Sequence, residues 1–188
     1  MAFVRKNSRP KTSQTVSTPR TNDGAELLTV AQLLEIAKRN GVEAVPLDVH
    51  ALVRVLGIQF LCVPMNDEVS GELRRAPNGK DWVMKVNALH HPNRQRFTIA
   101  HELGHFSRHR GGQAEFVDQN FFRNGDSSPM ESEANRFAGE LLMPEEVFRK
   151  YVKLFDGSIE ELGKHFKVST LAVRVRAKML GMKGHGLE

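Results

Sequence analysis

Phe97 to His109, FTIAHELGHFSRH, constrains the chain more than any other stretch, because it sets His101, Glu102 and His105 inside an apolar run. On a helix of about 3.6 residues per turn, His101 and His105 stand one turn apart on the same face. Both imidazoles can then reach one metal ion, and Glu102, projecting from the neighbouring position, can act as general base on a water held there. Phe97, Ala100 and Gly104 share the side of the histidines, while Ile99, Leu103 and Phe106 line the other. A helix apolar on two sides is buried. Buried imidazoles and a buried carboxylate are costly unless they have partners or a metal. An accidental H-E-x-x-H on a surface would lack these flanks.

The net charge of +5 suggests nucleic acid until it is located: Arg5, Lys6, Arg9, Lys11 and Arg20 precede the first acid, Asp23, and the remaining cations are matched by the 22 acids. The body is neutral. Residues 1–24, rich in Ser, Thr, Pro, Lys and Arg, are expected to form a disordered basic tail. The tail has no apolar core of a secretory signal, and no later stretch approaches the roughly eighteen apolar residues of a membrane span. One cysteine, Cys62, excludes an internal disulfide and fits a reducing compartment. These features predict a cytoplasmic protein with no membrane partner, and 188 residues suffice for one proper core.

In chain order, Leu28 to Asn40 reads as a helix with a Thr29–Gln32 capping box and a stop at Gly41. A short helix follows from Asp48 to Leu56, ended by Gly57. IQFLCVP, VSGELRRA and DWVMKVN read as three strands, with one drier face expected for the third. Extended peptides are commonly held at an open sheet edge, and the strand ending at Asn87 is the candidate edge. Residues 111–129 read as an irregular stretch whose Phe116, Phe121 and Phe122 either bind a partner or tuck the segment down; tucking is the reading adopted.

A catalytic zinc takes three protein ligands and leaves one position open. His109 lies another turn, about 6 Å, beyond His105, so it cannot converge on the same ion. No glycine bends the chain between them, as the metzincin pattern requires. His109 is therefore assigned a supporting role behind the ligands or a structural one. Pro129 and Pro144 bracket a helix from Met130 to Met143, on which Glu131, Ala134, Asn135, Ala138 and Leu142 share one side. The alanines let another helix come close, which carries Glu131 toward the histidine pair. Glu131 is the expected third ligand and Asn135 the expected partner of a ligating imidazole. Glu133 points elsewhere and is expected to make a solvated salt bridge.

RQRFTIAHELGHFSRH followed by ESEANRFAGELLMP resembles the ImmA/IrrE family of metallopeptidases, from about Pro46 to Pro144 and on toward Gly181. The resemblance implies His101, His105 and Glu131 as metal ligands in a gluzincin-like arrangement and Glu102 as the catalytic glutamate. It also implies cleavage of a helix-turn-helix repressor of the XRE type, encoded beside the enzyme.

The expected architecture is α+β. A small three-stranded sheet packs on a helical zinc-peptidase core (residues 25–145), followed by C-terminal helices in a helix-turn-helix-like arrangement (residues 146–188). There Ser158 and Glu161 suggest a second capping box, and Lys167 to Ser169 a turn. Arg174, Arg176 and Lys178 add charge to the last helix, yet Leu171, Val173, Val175 and Leu180 make it apolar enough to pack or to dock a repressor. DNA binding by these helices or the tail would be modest and salt-sensitive. The expected reaction is zinc-dependent hydrolysis of a peptide bond, with manganese able to substitute. Tyr151, His109 and His165 are candidates for the oxyanion donor. Two rivals stand beside it. One is a DNA- or repressor-binding module whose metal is structural. The other is a deformylase-like hydrolase, whose E-G-C-x-S motif is missing here.

Overall fold

The computed structural model describes residues 27–119 and 128–182. The basic tail and Phe121 and Phe122, on which expectations were placed, lie outside the described residues. The element order is α1 (Val30–Arg39), α2 (Val49–Val55), β1 (Gln59–Val63), β2 (Val69–Arg75), β3 (Trp82–Asn87), α3 (Pro92–Arg108), β4 (Glu115–Gln119), α4 (Pro129–Leu142), α5 (Glu145–Leu154), α6 (Ile159–Phe166) and α7 (Thr170–Met179), an α+β arrangement.

Local chemistry starts and stops the helices. Thr29 and Gln32 close the box that opens α1, with Gln32 N–H donating to Thr29 Oγ1 at 3.2 Å and Thr29 N–H to Gln32 Oε1 at 2.8 Å. Asp48 caps α2 by accepting from Ala51 N–H at 2.9 Å. Gly41 and Gly57 follow these helices at φ +69° and +70°, a conformation that favours glycine. The second expected box is only half formed. Ser158 accepts from Glu161 N–H at 3.3 Å, but the Glu161 carboxylate turns outward to Lys164 at 2.8 Å.

The sheet departs from expectation in two respects. It has four strands rather than three, in the order β1-β3-β2-β4, because Glu115–Gln119 pairs antiparallel with β2 where an irregular stretch was expected. Phe116 and Asp118 face inward and Glu115 and Val117 outward, and the burial of Phe116 matches the tucked reading. Second, the strand ending at Asn87 is interior, parallel to β1 and antiparallel to β2, so it is not an edge. Among the described residues the edges are β1 and β4. Both faces of β3 are accordingly covered, with Val83 and Asn87 buried beside Trp82, Met84 and Val86. The Asn87 amide holds the entry to β2, donating to Asn66 O at 3.1 Å in the preceding loop and to Val69 O at 2.9 Å at the start of the strand.

The α5, α6 and α7 helices give Phe148, Ile159, Leu162, Phe166, Val173 and Ala177 to the same hydrophobic core as Leu33, Leu73, Met84 and Leu103. A three-residue turn separates α6 from α7, with Lys167 in the left-handed region at φ 52°. Arg176 is not part of a solvent-facing basic stripe, as its charge suggested. It is 5% exposed and donates from Nε to Met143 O at 3.0 Å, capping the C-terminal end of α4 where a cation is favoured. No helix among the described residues is long and apolar enough to cross a membrane.

Candidate metal centre

Pro92 opens α3 at its first turn, and every residue from Thr98 to Ser107 is buried. The helix is covered by β2 and β3 on one flank and by α2 and α4 on others. Close approach of α4 depends on small residues: a Cβ on Gly104 would lie 3.1 Å from Ala134 Cα and 3.3 Å from Phe137 Cβ. That contact brings the first turn of α4, capped by Ser128 on Glu131 N–H at 3.2 Å, to the histidine face of α3.

There the structure brings three of the expected residues together. His101 Nε2 lies 2.9 Å from His105 Nε2 and 3.1 Å from Glu131 Oε2, and His105 Nε2 lies 3.3 Å from Glu131 Oε1. Ligands about 2.0–2.1 Å from a tetrahedral zinc stand roughly 3.3 Å apart, so these spacings suit a slightly contracted set of that kind. Among the described residues these three alone form a group of at least three metal-ligating side chains.

Burial pushes the His101 pKa down to about 4, partly offset by its bonds to Glu131 and Asn135. Burial alone would raise Glu131, but the two histidine rings against it outweigh burial and hold this carboxyl well below the usual range. Unprotonated imidazole and ionised carboxylate are the forms a metal requires.

Asn135, one turn beyond Glu131, places Oδ1 3.1 Å from His101 Nδ1. His109 places Nδ1 3.1 Å from His105 Nδ1 and Nε2 3.3 Å from Glu133 Oε2, and Arg108 Nε donates to Glu133 Oε1 at 2.9 Å. Glu133 thus makes the expected salt bridge but also backs His109. Tyr151 and His165 are engaged with each other, ring centroids 3.7 Å apart, in an aromatic cluster with Phe155 and Phe166.

Glu102 is fully buried, and neither carboxylate oxygen has a hydrogen-bond partner among the described residues. Burial, with Asp118, Glu131 and Glu72 nearby, raises its pKa well above the ordinary carboxylate range. A bound cation inverts this logic by favouring the ionised form, so the orphaned oxygens fit a site that holds a divalent ion and its water.

Other site residues escaped the sequence reading. Phe116 lies flat on the His105 ring, centroids 4.7 Å apart at 17°. Asp118 is 4% exposed, and its pKa is pushed up to about 8 by burial and the Glu131 charge, against Arg94 and a hydrogen bond with Ser70. A β-bulge between Val69 and Gly71 turns Ser70 inward, where its hydroxyl accepts from Arg94 at 2.9 Å. Gly71, opposite Asp118, leaves the space that Glu102 fills: a Cβ there would be 2.8 Å from Glu102 Oε1.

A buried H-E-x-x-H helix whose two imidazoles meet a carboxylate from the next helix has the donor set of a metal hydrolase centre. The sequence matches the IrrE N-terminal-like domain family, Peptidase_M78, over residues 53–178, and the chain belongs to that metallopeptidase-like family. Among solved structures it is similar to a Mycobacterium tuberculosis transcriptional regulator, with a TM-score of 0.56 and 19% identity over 84% of this chain and 47% of that one. That likeness is one of fold, and the chain spans about half of that protein's length, at 47%. No curated protein matches the sequence.

Proposed function

We propose that this chain is a zinc-dependent endopeptidase of the cytoplasm that hydrolyses a peptide bond in a helix-turn-helix repressor of the XRE type, thereby derepressing genes. One observation carries the hydrolytic reading: the convergence of His101 Nε2, His105 Nε2 and the Glu131 carboxylate within 3.3 Å. The Asn135 amide oxygen can only accept, so His101 Nδ1 carries the ring proton and its Nε2 lone pair faces the cluster. Lone pairs crowded this closely, with little water to shield them, repel unless a cation lies between them.

His101, His105 and Glu131 would hold the ion, for which manganese can substitute. When bound, the ion supplies Lewis acidity toward a water and the scissile carbonyl. Glu102 takes a proton from the attacking water, whose oxygen bonds to the carbonyl carbon. It then delivers that proton to the amine as the C–N bond breaks. Phe116 fixes the plane of the His105 ring. With β3 interior, β4 is the edge beside the site: its inward residues pack at His105 and near Glu102, and its outer backbone groups are suited to an extended substrate.

The test is to incubate the full chain and zinc with a helix-turn-helix repressor encoded beside it and look for a new N-terminus. Glu102→Gln should bind zinc and leave the repressor intact. A variant that cuts at the parental rate would refute the assigned mechanism. The second reading, a DNA- or repressor-binding module with a structural metal, is favoured by the exposed Arg174 and Lys178 on α7. It predicts salt-sensitive retardation of duplex DNA without cleavage of the repressor.

A further inference from the structure

We infer that Glu133 is a positioning residue for His105, fixing which ring nitrogen bears the proton through a relay that runs Glu133, His109, His105. The inference rests on the metal-centre reading above for its consequence, while the relay itself is a set of hydrogen bonds among side chains.

The relay runs inward from the carboxylate, which can only accept. Glu133 Oε1 takes Arg108 Nε–H at 2.9 Å, and Oε2 faces His109 Nε2 at 3.3 Å, so His109 carries a proton on Nε2. The His109 side chain is 13% exposed and shares Glu133 with Arg108, which already balances the carboxylate, so the neutral ring is favoured and its Nδ1 is an acceptor. That acceptor lies 3.1 Å from His105 Nδ1, so the proton of His105 sits on Nδ1 and its Nε2 lone pair faces His101 and Glu131. Reversing the His109 tautomer would reverse that of His105 and turn an N–H into the metal position.

Two imidazoles are thus oriented by different devices. Asn135 orients His101 directly, and Glu133, two residues after Glu131, orients His105 at one remove. The E-S-E spacing makes this possible because α4 presents Glu131 and Glu133 to opposite sides of the His105 ring. One meets Nε2 and the other, through His109, Nδ1. Glu133 is a third exposed, so replacing it leaves the core intact.

The test has two readouts on the parent chain, Glu133→Ala and Glu133→Gln. The first is the nitrogen-15 spectrum of the His105 ring in metal-free protein, and the second is zinc affinity measured against a chromogenic chelator. The parent should show the proton on Nδ1. Glu133→Ala should show a mixture of tautomers and bind zinc about 10- to 100-fold more weakly, the range for partners that orient a ligand. Glu133→Gln has one oxygen for two donors: with that oxygen on Arg108, the amide N–H faces His109 Nε2, which should reverse the relay and move the His105 proton to Nε2. A Glu133→Ala protein with the parental tautomer and affinity would overturn the inference. If the parent binds no zinc, the metal-centre reading fails while the metal-free spectra still decide the relay.

Discussion

Gly71→Ala tests whether the sheet and α3 are packed as tightly as the site requires. The added methyl would lie 2.6 Å from Thr98 Cγ2, 2.8 Å from Glu102 Oε1 and 3.3 Å from Lys85 O. Ordinary contact is about 3.5–4.0 Å, so α3 or its side chains must move by roughly 1 Å. The helix has little room to retreat, because Gly104 on its far side already meets Ala134 at 3.1 Å when given a Cβ. Overpacking of this kind costs about 1–3 kcal/mol, and the lower chain entropy of alanine returns roughly 0.5–1 kcal/mol. The net loss, about 1 kcal/mol at mid-range, should lower the Tm by about 2–4 °C in differential scanning calorimetry. A 1 Å displacement of Glu102 should also cut kcat by about 100-fold. Gly139→Ala is the matched control. It lies inside α4, its methyl would meet only Arg176 Cδ at 4.0 Å, and it should stabilise by about 0.5–1 kcal/mol. Gly71→Ala with unchanged Tm and activity, or both variants shifting Tm the same way, would refute this packing argument.

Further outcomes follow from the same geometry. Asp118 titrates at about 8 in the fold against 3.8 for the free group, so the folded protein binds more protons between those values and loses stability as pH rises through them. Asp118→Asn should remove up to roughly 3–4 kcal/mol of that decline between pH 5 and 8, read from urea midpoints of metal-free protein. Equal pH dependence in parent and variant would contradict it. Arg176→Met strips the cap from Met143 O and should cost about 1.5–3 kcal/mol in urea denaturation; an unchanged midpoint would return Arg176 to the surface. Glu131→Ala should weaken zinc binding by more than about 100-fold in a chelator competition, beyond the range for an orienting partner, and parental affinity would remove it from the ligand set.

What was legible in the sequence was what local chemistry decides. The Thr29–Gln32 box, the glycine stops and the proline bracket around α4 each act within a few residues, and the elements formed where those signals stood. The i, i+4 spacing likewise placed His101 and His105 side by side, and the alanines of α4 foretold the approach of another helix, though not the part of Gly104 on α3. Strand order was not legible, because whether β3 lies inside or at the edge depends on its parallel pairing with β1, which no local pattern encodes. The β4 strand escaped because its inward positions alternate Phe116 with Asp118, so a buried carboxyl breaks the apolar rhythm. Arg176 escaped for the same reason. It shares a face with Ala172, Val173 and Ala177, but a charge at that position reads as solvent-facing until Met143 O is seen beneath it. Glu133 was read from its own helix alone, whereas its part is set by His109 on another.

The geometry of His101, His105 and Glu131 calls for one divalent ion among them. Anomalous diffraction from zinc-loaded crystals of the full chain tests it most directly. One full-occupancy peak is expected about 2.0–2.2 Å from His101 Nε2, His105 Nε2 and a Glu131 oxygen, lost in Glu131→Ala. No peak there, or a zinc ion bound elsewhere on the chain, would contradict it.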